Sequence, residues 1–152
     1  MCRYITLSLL ALTLAVPALA AKREAKTFRV YFVGNSVTDT IKYGALAQLA
    51  KSRGYMQVWG RHMIPGAPLQ WIWQHPKDGF QEQPFGHYPT ALANFQWDVL
   101  SLQPFDRHLD GKDGDMVMAK NFIALALPFP NRQRLQAIGR FFGAGRIIIK
   151  SP

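Results

Sequence analysis

Residues Phe28–Asp39 read FRVYFVGNSVTD, and the fold follows from how that run is broken. Phe28–Val33 is apolar and β-branched apart from Arg29, the pattern of a buried, parallel-type strand. Gly34-Asn35-Ser36 interrupts it, and helical spacing begins near Ile41. A strand that stops at Gly-polar-Ser and runs on into a helix delivers a serine hydroxyl to the carboxyl end of a sheet. Open α/β folds bind ligands there, and helix N-terminal amides can receive an anion. The same residues also fit a plain Gly/Asn turn in which Ser36 or Thr38 caps the helix.

Downstream, Ile41–Gly54 sets Ile41, Ala45, Leu46, Leu49 and Ala50 on one helical face, and Gly54 supplies a C-terminal stop. Met56–Arg61 reads as a second strand, so strand, helix and strand form a βαβ unit. His62–Ala67 follows at the carboxyl end of that strand. Leu69–His75, LQWIWQH, is a short aromatic helix whose Trp71 and Trp73 are read as packing residues rather than cleft lining. Pro76–Pro89, rich in Gly, Pro and Gln, is a surface loop or lid, and Tyr88–Gln96 a short helix. Trp97–Gln103 is a third strand ending in Pro104–Arg107. Asp110–Asp115 is a polar turn, and Met116–Leu127 a further apolar helix.

The N-terminus reads as an export signal. Met1-Cys2-Arg3 is a short positive segment, Tyr4–Val16 carries no charge, and Pro17 leads into a small-x-small site at Ala18-Leu19-Ala20. The apolar run falls short of the ~20 residues that a membrane span needs. Cleavage after Ala20, with Ala21 the next choice, leaves a secreted or periplasmic chain, long enough for one small domain. The only cysteine, Cys2, leaves with the signal, so the mature chain forms no disulfide and offers no thiol nucleophile. The formal charge of +9 becomes +8 with the loss of Arg3. Residues 21–115 hold 11 basic and 9 acidic side chains, whereas residues 116–152 hold 6 basic ones and no acid. The basicity therefore belongs to the tail. Export argues against nucleic acid as its partner, and docking on an anionic envelope surface is a reading from charge alone.

Three predicted strands thus end in loops carrying Ser36, Gly66 and Gln103, and a doubly wound sheet brings such loops to one edge. A serine, a glycine amide and a side-chain amide are parts of an acyl-transfer site. Here the sequence resembles the SGNH (GDSL-type) hydrolases, in a branch with GNS as its first block, over roughly Arg29–Arg107. The resemblance implies Ser36 as nucleophile, with Gly66 and Gln103 as oxyanion donors. Gln103 stands where the family usually has the Asn of Gly-x-Asn-Asp. It implies a three-layer, flavodoxin-like parallel sheet and an exported serine esterase or acylhydrolase acting on a carbohydrate or small-molecule ester. It implies no metal or organic cofactor.

The family's C-terminal Asp-x-x-His is absent, and no histidine follows His108. His62, His75, His87 and His108 each read as structural or solvated, with His108 the first candidate for a base. The expected organisation is a signal at 1–20, a partial hydrolase-like domain at 21–127 and a basic tail at 128–152. In that tail Leu135, Ile138 and Phe142 keep a partial helical period, and Ile147–Ile149 fits a strand. Its composition fits a frame change or early end in place of the last strand and helix. The alternative to an impaired esterase is a non-catalytic remnant or binding relative.

Overall fold

The computed structural model describes residues 25–108, 110–112, 114–126, 140–142 and 146–150. The expected export signal with its cleavage site, and Leu135 and Ile138, lie outside the described residues. Among those residues no helix is long and apolar enough to cross a membrane.

The described chain is a mixed α/β unit. Its strands are β1 (Lys26–Gly34), β2 (Tyr55–Met63), β3 (Phe80–Gln81), β4 (Val99–Leu102), β5 (Arg140–Phe142) and β6 (Arg146–Lys150). Its helices are α1 (Ser36–Asp39), α2 (Tyr43–Ser52), α3 (Leu69–Gln74), α4 (Tyr88–Asn94) and α5 (Asp115–Ala126). They form one open sheet in the order β3-β2-β1-β4-β6-β5. β1 is central and pairs in parallel with β2, from Lys26↔Tyr55 to Gly34↔Met63. On its other side it pairs in parallel with β4, from Val30↔Val99 to Val33↔Leu102.

The expectation of a parallel sheet therefore holds for its centre and is corrected at both edges. β3 runs antiparallel to β2, β6 antiparallel to β4, and β5 antiparallel to β6. For β5 and β6 the reason is connection length. A parallel neighbour needs a crossover of a dozen or more residues, whereas only residues 143–145 separate β5 from β6. Two further expectations change with these strands. Phe142 belongs to a strand rather than to a helix, and Pro76–Pro89 contributes β3.

Alternation along β1 divides the core. Val30 and Phe32 face α2, packing with Tyr43, Leu46 and Trp59. Tyr31 and Val33 face the other way, into a larger cluster with Leu100, Leu102, Leu69, Ile72, Leu92 and Phe122. Helices thus cover both faces, the arrangement that near-continuous apolar strands require. α5 buries Asp115, Met118, Ala119, Phe122 and Ile123, the i, i+3, i+4, i+7, i+8 set of one helical face. Phe122 meets Trp73 and Tyr88 edge-on, with ring centroids 5.1 and 4.9 Å apart. α2 is less well covered than its spacing suggests, since Leu49 is exposed. With Leu46, Phe28, Tyr55 and Val99 it lines a groove of about 660 Å³ at the amino ends of the strands, away from the Ser36 loop.

Candidate functional site

The first loop is shaped by Gly34. A Cβ there would lie 2.0 Å from Thr38 Oγ1 and 2.6 Å from Gln103 Cβ, so only glycine lets α1 and the end of β4 close on the strand. The Gln103 N–H donates to the Val33 carbonyl at 2.9 Å and carries the β1–β4 ladder one residue past β4. Gly34→Ala is expected to cost about 2 kcal/mol through overpacking, read as a lower urea midpoint at unchanged m-value. Adding Thr38→Ala should restore only part, because the Gln103 Cβ, placed by its own backbone, cannot rotate away. A midpoint equal to that of the parent chain would contradict this account of the loop.

Asn35, fully buried, ties two loops together. Its Oδ1 accepts the Val37 N–H at 3.0 Å and caps α1, while its Nδ2 donates to the Ala67 carbonyl at 3.5 Å. The expectation of Ser36 or Thr38 as the cap is thereby corrected. A cap sits just before the first helical residue, and that position belongs to Asn35. Ser36 is instead the first residue of α1 and exposed, and Thr38 is buried beneath it. The Ile64 N–H donates to the Gly34 carbonyl at 3.1 Å, a second tie between the ends of β1 and β2.

Gly66 is exposed, with φ +66 and nothing within 4 Å of where a Cβ would lie, so its backbone conformation rather than lack of space calls for glycine. Gln103 is buried, and its Nε2 donates to the Pro104 carbonyl at 3.1 Å. Farther out, the Arg107 guanidinium donates to Gln70 Oε1, joining the loop after β4 to the start of α3. Each of the three sequence-derived loops is therefore bonded or packed to another at the carboxyl ends of β1, β2 and β4.

The charged support of α1 was not foreseen. Arg61 on β2 donates to Asp39 Oδ1, lies 3.7 Å from Glu82 and rests over the Tyr43 ring, 5.5 Å from its centroid. The Tyr43 hydroxyl also donates to Asp39, at 3.3 Å. These contacts hold the last residue of the short helix that begins with Ser36.

The histidines divide by environment. His62 is fully buried on β2. Its Nδ1 accepts the Tyr88 N–H at 3.2 Å, one of the amides left unpaired at the start of α4. Nε2 therefore carries the proton and donates to the Asp78 carbonyl at 2.8 Å, an assignment made from the bonding pattern. Burial pushes its pKa down to about 4, and the neighbouring His87 pushes the same way, against the Asp78 carbonyl and carboxylate. His75 Nδ1 is 2.8 Å from the Trp71 carbonyl, and the two rings stack at 3.9 Å. His87 precedes α4 and has a buried Nε2 without a partner. His108 is exposed, and its carbonyl accepts the Asp115 N–H at 3.1 Å.

Asp115, at the start of α5, is buried with neither carboxylate oxygen hydrogen-bonded. Burial raises its pKa to about 6, opposed by the charge of Arg107. Sequence reasoning also passed over Asn35, although Asn between a strand-ending Gly and a helix is a capping signal. Nothing in the sequence marks Asp115 or Arg61 as buried or paired.

Comparisons with protein-family models, with curated proteins and with solved structures found no match.

Proposed function

We propose that this chain is an exported serine ester hydrolase of the SGNH type, on a flavodoxin-like sheet, impaired by the lack of its base. The observation that carries the reading is the mutual bonding of three loops at one sheet edge, through Asn35 to Ala67, Ile64 to Gly34 and Gln103 to Val33. In this reading Ser36 Oγ attacks the acyl carbon, and the carbonyl π electrons move onto oxygen. The N–H groups of Ser36 and Gly66 and the Gln103 amide receive that oxyanion. The serine proton passes to solvent, the tetrahedral species collapses with breakage of the ester C–O bond, the departing alkoxide takes a proton from solvent, and water then adds to the acyl-serine, releasing the acid and restoring the Ser36 hydroxyl. No step draws on a cofactor.

A second reading, a non-catalytic binding relative, is favoured by the histidines. Both ring nitrogens of His62 are engaged, and His75 is turned onto the Trp71 carbonyl. The two readings share the oxyanion site, so the test avoids the base. A short alkylboronic acid adds to a serine oxygen to form a tetrahedral anion, the serine proton passing to the buffer rather than to a side-chain base. Boron NMR of the full chain should show the tetrahedral adduct at millimolar reagent, and Ser36→Ala should lose it. An adduct that persists in Ser36→Ala, or none in the parent, removes Ser36 and its donors from the site.

A further inference from the structure

Apolar side chains are left exposed in two parts of the fold. Trp71 on α3 is half-exposed, against the expectation that it packs as Trp73 does, but His75 already stacks on one face of its ring at 3.9 Å. At the amino ends of the strands, by contrast, α2 and the sheet do not close on each other. Tyr43 packs the start of α2 down, its ring 4.9 Å from Phe32 and 4.7 Å from Trp59. Leu46, Leu49, Ala50 and Arg53 continue as one helical stripe, at i, i+3, i+4 and i+7. Facing them the sheet offers Phe28, Tyr55 and Val99, yet Leu49 stays 57 % exposed and Tyr55 47 %. The groove of about 660 Å³ between them is thus apolar and, among the described residues, uncovered.

Its rim is cationic. Lys26 pairs in register with Tyr55, and Arg53 ends α2 two residues before Tyr55, so both stand at one end of the groove. Neither forms an ion pair among the described residues. Asp98 is the one acid of the lining, and β1 engages it. Its Oδ2 accepts the Arg29 N–H at 2.7 Å, and its own N–H donates to the Arg29 carbonyl at 2.9 Å. The carboxyl end of α2 adds about half a negative charge, which Lys51 and Arg53 outweigh. A volume of this size suits one small molecule, whereas a stable protein partner needs about 800 Å² on each side. An apolar trough with two cations at one end fits an alkyl chain that ends in an anion.

We propose that this groove binds a long-chain carboxylate, its alkyl chain laid along Phe28, Leu46, Leu49 and Tyr55 and its head group at Lys26 and Arg53. The site lies away from the Ser36 loop and does not rest on the hydrolase reading.

The test titrates the full chain with dodecanoate and with dodecyltrimethylammonium, both below their micelle concentrations, by calorimetry, with amide NMR shifts to locate the ligand. Dodecanoate should bind with a sub-millimolar Kd, and each two-carbon lengthening from octanoate should tighten binding about threefold to tenfold. The cation of equal chain length should bind at least about fivefold more weakly, a preference that Lys26→Ala with Arg53→Ala largely removes. Leu49→Gln, at an exposed helical position and so with an unchanged far-UV spectrum, should weaken dodecanoate about fivefold. Ser36→Ala should bind as the parent does. No saturable binding up to about 1 mM, equal affinity for the cation, or no dependence on chain length would each overturn the proposal. So would loss of binding in Ser36→Ala, which would place the alkyl chain at the acyl site instead. Self-association that Leu49→Gln abolishes, without dodecanoate binding, would give the groove to a second copy of the chain.

Discussion

Joining an Asp-x-x-His block to this chain should raise its hydrolysis of a short acyl ester by roughly 10²–10⁴-fold, the usual contribution of a positioned general base. The chain as it stands should turn over such an ester barely above background. Oxyanion donors can each be worth ~3–4 kcal/mol in the transition state. They act on charge that develops only once the serine proton has somewhere to go, and a serine hydroxyl is a poor nucleophile at neutral pH. His62 cannot take that proton, being buried with its Nδ1 accepting from Tyr88 and its Nε2 donating to Asp78. The comparison uses the chain, its Ser36→Ala variant and the extended form, with Ser36→Ala removing the gain in the last. Brisk, Ser36-dependent turnover by the unextended chain would show that a base lies within it. His108, exposed in the loop beyond Gln103, would then be the first to substitute.

The second large effect concerns acid. Folded His62 stays neutral down to about pH 4, whereas an unfolded imidazole takes up its proton near 6.5. Between those values the unfolded chain binds more protons than the folded one. Stability from this residue is complete above pH ~6.5 and falls as pH drops towards 4, by about 3 kcal/mol. Asp115 works the other way. Its folded pKa is raised to about 6, so its contribution is full below pH ~3.9 and is lost as pH rises through 6. Over pH 4–6 the two slopes oppose each other, and the parent chain should vary by under ~1 kcal/mol. Asp115→Asn removes one of them. It should be more stable than the parent at pH 7 and then lose roughly 2–3 kcal/mol between pH 6.5 and 4.5 in urea titrations. Parallel curves for parent and variant would mean that these two groups do not govern acid stability.

What was legible in the sequence was whatever a single run of residues decides. The apolar stretches announced β1, β2 and β4, and Gly54, at φ +79, ends its helix as expected. The three loops were legible for the same reason, since each follows such a strand. What depends on distant partners was not. β3 is two residues long and owes its existence to β2. The orientation of β6 is set by β4, and Trp71 and Trp73 differ only in which side of α3 meets α5. Arg61 and Asp39 lie 22 positions apart, and neither announces the other.

The pairing of β1 also orders events in time. Its contact with β2 spans 29 positions, Lys26 to Tyr55, and its contact with β4 spans 69, Val30 to Val99. Closing the longer loop costs about 0.8 kcal/mol more in chain entropy, and such distant contacts slow folding. β1, α2 and β2 can therefore assemble as an early unit, with the Asn35–Ala67 tie already in reach. Gln103 arrives only when β4 docks. The last of the three loops to dock is then also the first to be exposed by partial unfolding, and amide hydrogen exchange should run faster through β4 than through the middle of β1.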